Sequence, residues 1–412
     1  MAKFKTDQSN KVRLPRVTLV LAAAIFVLGT SEFVIAGLLP ELASDVNVSI
    51  PQAGYLISAF AVALIVGAPA MAVLTLPLPR RTTLVAALVT FVAAHVLGAL
   101  APNYAVLLVS RAIAAVAVGA FWAVAAVVAV SAAGPALRAR ALAVLLSGLS
   151  IANVAGVPLG TLLGQQEGWR ATFWALAAAG LVGVLGVLAT VPAGRGSGPA
   201  TKLADEIAVF RQGRQWLALA TIALYQAAIM ATFSYIAPLL TEVSGLSPRW
   251  VPLVLLLFGL GGFFGVNIGG RFADAHPWGT LFTAIAAAVV MLVLLALFAG
   301  VGTAVVPLVA LLGLVAFIAG APLNARAFSL AGAAPTLASA TNTSAFNTGS
   351  TIGPVLGGIA ISAGWGFDAP PWLSAGLLLA AAAVAAVSVA LDRAERAGTT
   401  TPAEHALLGR GG

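Results

Sequence analysis

Leu28-Gly29-Thr30-Ser31-Glu32-Phe33-Val34-Ile35-Ala36-Gly37-Leu38-Leu39-Pro40 places one carboxylate, Glu32, in an apolar run from Val17 to Leu38 that holds no other charge. A run of that length spans a bilayer, which takes about 20 apolar residues in a helix. A lone acid inside a span costs about 3 kcal/mol even on lenient insertion scales, so it marks a functional position by default. This stretch therefore implies a membrane-spanning chain with a titratable group held inside it.

The remaining sequence agrees. Of 412 residues, 61% are hydrophobic and 8% charged, against roughly a quarter charged in a soluble domain. Twelve apolar segments follow one another, from 17–38 through 338–362 to 371–391, with Pro, Gly and charge clusters between them. The net charge of +8 would suit nucleic acid in a soluble protein. In a chain this apolar the excess is topological, and no nucleic-acid partner is expected. The absence of cysteine excludes disulfides and thiol chemistry. Three histidines (His95, His276, His405) and one mid-span acid assemble neither a metal centre nor a hydrolytic set, so no metal, no cofactor and no enzyme is expected. The basic segment Met1–Arg16 precedes an apolar run too long for a cleavable signal core, which reads as a retained span.

Placed with the amino terminus inside, 18 of the 21 Lys and Arg fall on cytoplasmic segments. Only Arg170 and Arg249 fall outside, and Arg111 lies within a span. This bias sets both termini in the cytoplasm of a multi-pass membrane protein, and it supports twelve spans.

Residues 1–191 read as an N-terminal six-helix bundle, 192–215 as a cytoplasmic linker, 216–391 as a C-terminal six-helix bundle and 392–412 as a disordered tail. The halves repeat: Pro40 matches Pro238, Pro51 matches Pro248, Gly67 matches Gly265 and Pro79 matches Pro277. Gly156-Val157-Pro158-Leu159-Gly160 matches Gly353-Pro354-Val355-Leu356-Gly357, and Trp169 matches Trp365, all at offsets of 196 to 198. Two like-oriented six-span halves related by a pseudo-two-fold axis along the membrane normal are the major facilitator architecture, an all-α polytopic fold. Substrate sits between the halves near the midplane of that fold.

On these motifs the chain resembles the twelve-span drug:proton antiporters of the major facilitator superfamily. The resemblance rests on Gly29 through Pro40, Gly67-Ala68-Pro69, Pro79-Arg80-Arg81, Ser147-Gly148 through Gly160, and Gly168-Trp169-Arg170-Ala171-Thr172-Phe173. These look most like the branch of arabinose-efflux-type permeases and actinobacterial chloramphenicol-resistance exporters. His95 to Leu100 and Arg140 to Gly148 lean towards the chloramphenicol side.

Gly148, Gly156, Gly160 and Gly164 fall on one face of the fifth span and let another helix approach closely, while Pro158 bends it. The resemblance implies that the eleventh span, with Gly353, Pro354, Gly357 and Gly358, packs there and helps seal the outer side. Ordinary small-residue packing is the alternative. In the second half, Gly269-Gly270-Arg271-Phe272-Ala273-Asp274 keeps an acid that Pro79-Arg80-Arg81 lacks. The resemblance implies that Asp274 pairs with a cytoplasmic arginine to lock the inner gate, with Arg326 as candidate.

Glu32 lies six residues from the outer end of its span and Arg111 seven, which puts both about 10 Å deep. At the repeat-related positions stand Met230 and Val309, so symmetric packing does not require either charge. In this fold the first and fourth spans line the cavity, so the two are expected to face each other. Glu32 is then the proton carrier and Arg111 its tuner: burial favours the protonated acid, the cation its anion. A structural ion pair is the alternative. Candidate substrate contacts are Phe26, Phe33, Trp122, Asn153, Tyr225, Gln226, Phe233, Phe346 and Asn347. Phe258 and Phe317 offer further apolar wall, and Asn267 and Asn342 further polar groups. Each polar group either meets substrate or bonds to backbone, and both readings stay open. His95 is set apart because its span is usually peripheral to the cavity. Trp169, Trp250, Trp365 and Trp372 read as anchors at the outer interface.

Together these imply proton-coupled efflux of a small amphipathic drug such as chloramphenicol, by alternating access of a monomer in the lipid bilayer. Efflux of a sugar or nucleoside is the alternative transport reading. A polytopic membrane enzyme is the alternative of another class.

Overall fold

Lipid offers a backbone no hydrogen bonds, so each apolar segment closes its own as a helix. A computed structural model describes residues 14–75, 77–193, 213–331 and 335–408. Its first half comprises α1 (Arg16–Phe33), α2 (Ile50–Leu74), α3 (Arg80–Ala99), α4 (Tyr104–Ala133), α5 (Pro135–Glu167) and α6 (Trp169–Thr190). The second comprises α7 (Gly213–Phe233), α8 (Val251–Ala275), α9 (Pro277–Leu297), α10 (Gly302–Ile318, continued by Gly320–Ala331), α11 (Pro335–Ala360) and α12 (Ala369–Leu408). Polar caps start two of them. Ser49 and Gln52 form a reciprocal capping box at α2, and the Asn103 side chain accepts from the Val106 amide at α4.

Among the described residues, eleven helices are long and apolar enough to cross a membrane. The one outside that set is α11, expected as the apolar segment 338–362. At 26 residues it is long enough, yet it carries Asn342, Asn347, Thr348, Ser350 and Thr351. Packing between α7 and α2 keeps that polar strip off the lipid. Of the expected linker 192–215, residues 194–212 lie outside the described residues and 213–215 already belong to α7. The last helix continues to Leu408, so the backbone of 392–408 is helical where a tail without regular structure was expected.

The glycine motifs pack differently from the expectation. A Cβ on Gly148 would meet the Ala22 carbonyl oxygen at 2.3 Å, and one on Gly160 would meet Val34 at 2.8 Å. One on Gly156 would fall on the Thr30 hydroxyl. These are all α1 residues or its immediate continuation. In the second half, a Cβ on Gly353 would fall on the Ala227 carbonyl oxygen, and one on Gly357 would meet Tyr235 at 2.8 Å and the Ala231 carbonyl oxygen at 3.2 Å. Ala227 and Ala231 lie one residue before Ala228 and Thr232, the repeat partners of Thr30 and Val34 at the offset of 198 that relates Pro40 to Pro238. The fifth and eleventh spans therefore do not meet glycine to glycine. Each lies against the first helix of its own half, because in lipid close van der Waals approach, rather than water exclusion, holds helices together.

The halves meet elsewhere, α2 against α11 and α5 against α8. The Ser58 hydroxyl donates to the Thr351 carbonyl at 2.9 Å, and a Cβ on Gly54 would meet the Tyr235 hydroxyl. Gly259 of α8 lies against the backbone of Asn153 and Val154, within a π turn, Ala152–Gly156, just ahead of Pro158. These contacts, with Gly37 against Leu255, lie in the halves of the spans remote from both termini.

Candidate functional site

Four residues from three helices build the polar centre of the N-terminal bundle. Arg111 is 1% exposed. Its Nη1 donates to the Ser31 hydroxyl at 3.0 Å and its Nη2 to the Ser31 carbonyl at 2.9 Å. Its guanidinium rests 4.4 Å from the centroid of the Phe60 ring. Ser31 Oγ also lies 2.8 Å from Nε2 of His95, whose Nδ1 lies 2.8 Å from the Phe91 carbonyl oxygen. Depth therefore brings Arg111 to the level of Glu32 as expected, but the contact is with the neighbouring Ser31. Among the described residues Glu32 makes no ion pair within 4.0 Å and no hydrogen bond, and it is half-buried.

His95 joins this centre rather than standing apart from it. The depth argument that couples Glu32 to Arg111 applies to it equally, since it lies five residues from the outer end of the segment 83–100. Its burial between Phe91 and Phe173, at ring distances of 4.0 and 5.6 Å, is not visible in a sequence.

Above the centre the halves touch through phenyl rings. Phe33 meets Phe233 at 6.4 Å, Phe233 meets Phe258 at 5.0 Å and Phe258 meets Phe317 at 6.1 Å. On the side of the termini a cleft of about 360 Å³ lies between Leu19, Ala22, Ala23 and Phe26 of α1 and Val144, Ser147, Gly148 and Ile151 of α5. Leu19, Phe26 and Phe33 recur at sevens along α1, so the cleft wall and the phenyl contact share one helix face. Its one hydroxyl, Ser147, is already donated to the Val144 carbonyl. The wall suits an apolar or uncharged guest.

The other candidates divide. Tyr225 is buried and donates to the Ala316 carbonyl at 2.8 Å, which turns its hydroxyl into the C-terminal bundle. Gln226 donates to Ser350 on α11 at 3.1 Å. Asn153 and Asn347 bond to the carbonyls of Leu149 and Thr343 in their own helices. Asn267 does the same with Phe263 on an exposed face, and Asn342 pairs with Asn324. Trp122 and Phe346 are half-buried against the core. Trp250, Trp365 and Trp372 are exposed, but Trp169 is not an interface anchor. It is 3% exposed, and its indole N–H is taken by Asp45 at 3.0 Å.

Asp45 also pairs with Arg170, which reaches the Ala101 carbonyl at 3.1 Å, so one acid ties three outer loops. The Arg170 hydrogen bond, helped by that of Trp169, holds the Asp45 carboxyl below the usual carboxylate range. A depressed native pKa stabilises above the ordinary carboxylate range and loses that stabilisation as pH falls through the native value. The expected result is that Asp45→Asn removes the part of the acid-side loss of thermal stability that lies below pH 3.8. Melting curves of both proteins across that range check it.

At the inner end Arg326 and Asp274 are not paired with each other among the described residues. Arg326 donates to Asp392 at 2.8 Å and to Ser388 at 3.1 Å, both on α12, and lies 5.1 Å over Trp278. Arg214 approaches the same carboxylate at 3.5 Å. Asp274 is exposed at the end of α8 and makes no ion pair among the described residues. Asp392 escaped notice because it falls just past the last apolar segment; continuation of α12 brings it alongside α10. The Asp392 side chain is 12% exposed, so Asp392→Asn removes a largely buried carboxylate that Arg326 holds at 2.8 Å and Arg214 approaches at 3.5 Å. Its expected cost lies between about 1 kcal/mol, that of an exposed pair, and about 3 kcal/mol, that of a buried one, read as a lower unfolding midpoint in detergent.

Comparison with known proteins follows the same lines. The chain matches the Major Facilitator Superfamily over residues 21–345. It is 41% identical over 376 residues to a chloramphenicol resistance protein of Streptomyces lividans, covering 90% of this chain and 96% of that one. It is 36% identical over 365 residues to the inner membrane transport protein YdhP of Escherichia coli (strain K12), covering 89% and 93%. Among solved structures, a bacterial homolog of the human lysosomal transporter Spinster, in an inward-facing and unoccupied conformation, superposes with a TM-score of 0.75. That likeness covers 90% of this chain and 96% of the other at 17% identity, and it speaks to fold alone. With eleven apolar spanning helices among the described residues and a family match over well more than half its length, the chain belongs to the Major Facilitator Superfamily and is a multi-pass membrane transport protein, not an enzyme.

Proposed function

We propose that the protein exports a small amphipathic drug of the chloramphenicol kind by proton antiport, with Glu32 as the proton carrier. The observation that carries this reading is Glu32 itself. It is an acid inside a span, half-buried, with neither ion pair nor hydrogen bond among the described residues. Its one nearby cation is committed to Ser31. A purely structural ion pair would close that gap; a carboxylate that must gain and lose a proton is served by leaving it open. The apolar cleft beside Phe26 supports an amphipathic guest over a sugar, which needs many hydrogen-bonding side chains. The chloramphenicol resistance protein among its relatives points the same way.

The contacts between halves on the side remote from the termini, with the cleft on the other, support an inward-facing state. Both termini then lie in the cytoplasm, as the arginine bias implies, and one protomer encloses the pathway. The test is expression in a drug-sensitised host against a panel that includes chloramphenicol, with and without a protonophore. Resistance to an uncharged amphipathic compound that the protonophore erases supports the reading. Resistance to none, with export of a sugar or nucleoside instead, contradicts it.

A further inference from the structure

His95 does no work in the export scheme just given, yet it is buried in contact with the residue that holds Arg111. The Phe91 carbonyl oxygen can only accept, so the His95 Nδ1 at 2.8 Å carries a hydrogen. In the neutral ring Nε2 is then an acceptor, and the Ser31 hydroxyl at 2.8 Å donates to it. With its hydrogen committed there, Ser31 Oγ presents its lone pairs to Arg111 Nη1 at 3.0 Å. The hydrogen bonds thus run one way, from guanidinium to hydroxyl to imidazole to backbone carbonyl.

Ser31 and His95 are 0% and 1% exposed, so no solvent competes for any of these bonds. The charged and titratable groups facing the chain among the described residues are Arg111 from α4, Glu32 from α1 and His95 from α3. Helices α2 and α6 contribute the Phe60 and Phe173 rings and no charge. Without an acceptor at Nε2, the hydroxyl hydrogen has no partner on that side. It competes with Nη1 for the same space, so the guanidinium keeps only its Nη2 bond to the Ser31 carbonyl and Nη1 turns to the carboxylate one residue along.

We propose that His95 is a positioning residue: as a neutral acceptor it fixes the Ser31 hydroxyl, which holds Arg111 beside Glu32 but off its carboxylate. It thereby sets the pH at which Glu32 exchanges its proton. This rests on Glu32 as the proton carrier, but its test does not require transport.

The test measures carbodiimide labelling of Glu32, read by mass spectrometry against pH, in full-length protein in lipid nanodiscs. Carbodiimide reacts with the protonated acid. In His95→Phe, which keeps an aromatic ring but loses the acceptor, Arg111 reaches Glu32 and the labelling midpoint falls by about one pH unit or more. Ser31→Ala gives the same fall, and it carries the test alone should His95→Phe fail to fold. In His95→Gln, whose amide oxygen takes the Nε2 place, the midpoint returns to the wild-type value. An unshifted midpoint in folded His95→Phe or Ser31→Ala overturns the proposal. So does a His95→Gln midpoint as low as that of His95→Phe, because the ring's bulk would then be what counts. A shifted midpoint in a protein whose drug export ignores Glu32 would sink the export scheme and leave the positioning role standing.

Discussion

Glu32→Gln is expected to abolish uphill export while leaving the protein inserted and folded. Glutamine keeps the volume and polarity of the carboxyl, so α1 keeps its packing, but it cannot carry a proton. Since Glu32 makes no ion pair or hydrogen bond among the described residues, the substitution breaks neither and leaves the bonds of Arg111 to Ser31 in place. Resistance in a sensitised host should fall to that of cells without the transporter. Exchange of drug down its own gradient should survive, because opening and closing of the halves depends on other residues. Arg111→Lys makes a useful companion. A lysine has no fork to hold both the hydroxyl and the carbonyl of Ser31, so partial rather than complete loss is expected.

The second large effect is steric. Gly353→Val should abolish both export and stable expression. The first added carbon would lie 2.4 Å from the Ala227 carbonyl oxygen and 2.8 Å from the Ala231 amide nitrogen. Both are backbone atoms of α7 and cannot turn aside, so α7 and α11 must separate along their contact. Overpacking of an ordinary core costs about 1–3 kcal/mol, and a backbone-to-backbone clash between two spans exceeds the part that side chains can relieve. Gly376→Ala is the matched control, since nothing lies within 4 Å of an added carbon there. Protein yield and detergent melting curves for the pair distinguish close approach from a general intolerance of larger residues.

How much of this was legible follows from what each signal depends on. The spans and their division into halves rest on length, polarity and an offset of about 197, all properties of the string itself. The offset even carries the packing to within a residue: Gly156 lies against Thr30, and Gly353 against Ala227, next to Ala228, the repeat partner of Thr30. The wrong partner for the glycine face arose because small residues announce a close helix but not which one. Glu32 and Arg111 were legible because charge in a span is costly wherever it points. Ser31 was not, since a serine inside a span costs little and its role comes wholly from the two groups it joins. His95 was legible by depth and discounted by span. Asp392 was lost at a boundary, because hydropathy ends a span where polarity begins and not where the helix ends. Tyr225 shows the opposite limit: its position suggested the cavity, while the Ala316 carbonyl that takes its hydroxyl is a tertiary fact.

The central claim is that Glu32 couples proton and drug. The most direct measurement uses proteoliposomes loaded with a pH-reporting dye, to which the drug selected by the resistance panel is added. Wild-type protein should move protons against the direction of drug flow, and Glu32→Gln should pass the drug with no proton signal. Proton movement in Glu32→Gln equal to that of the wild type would contradict the account.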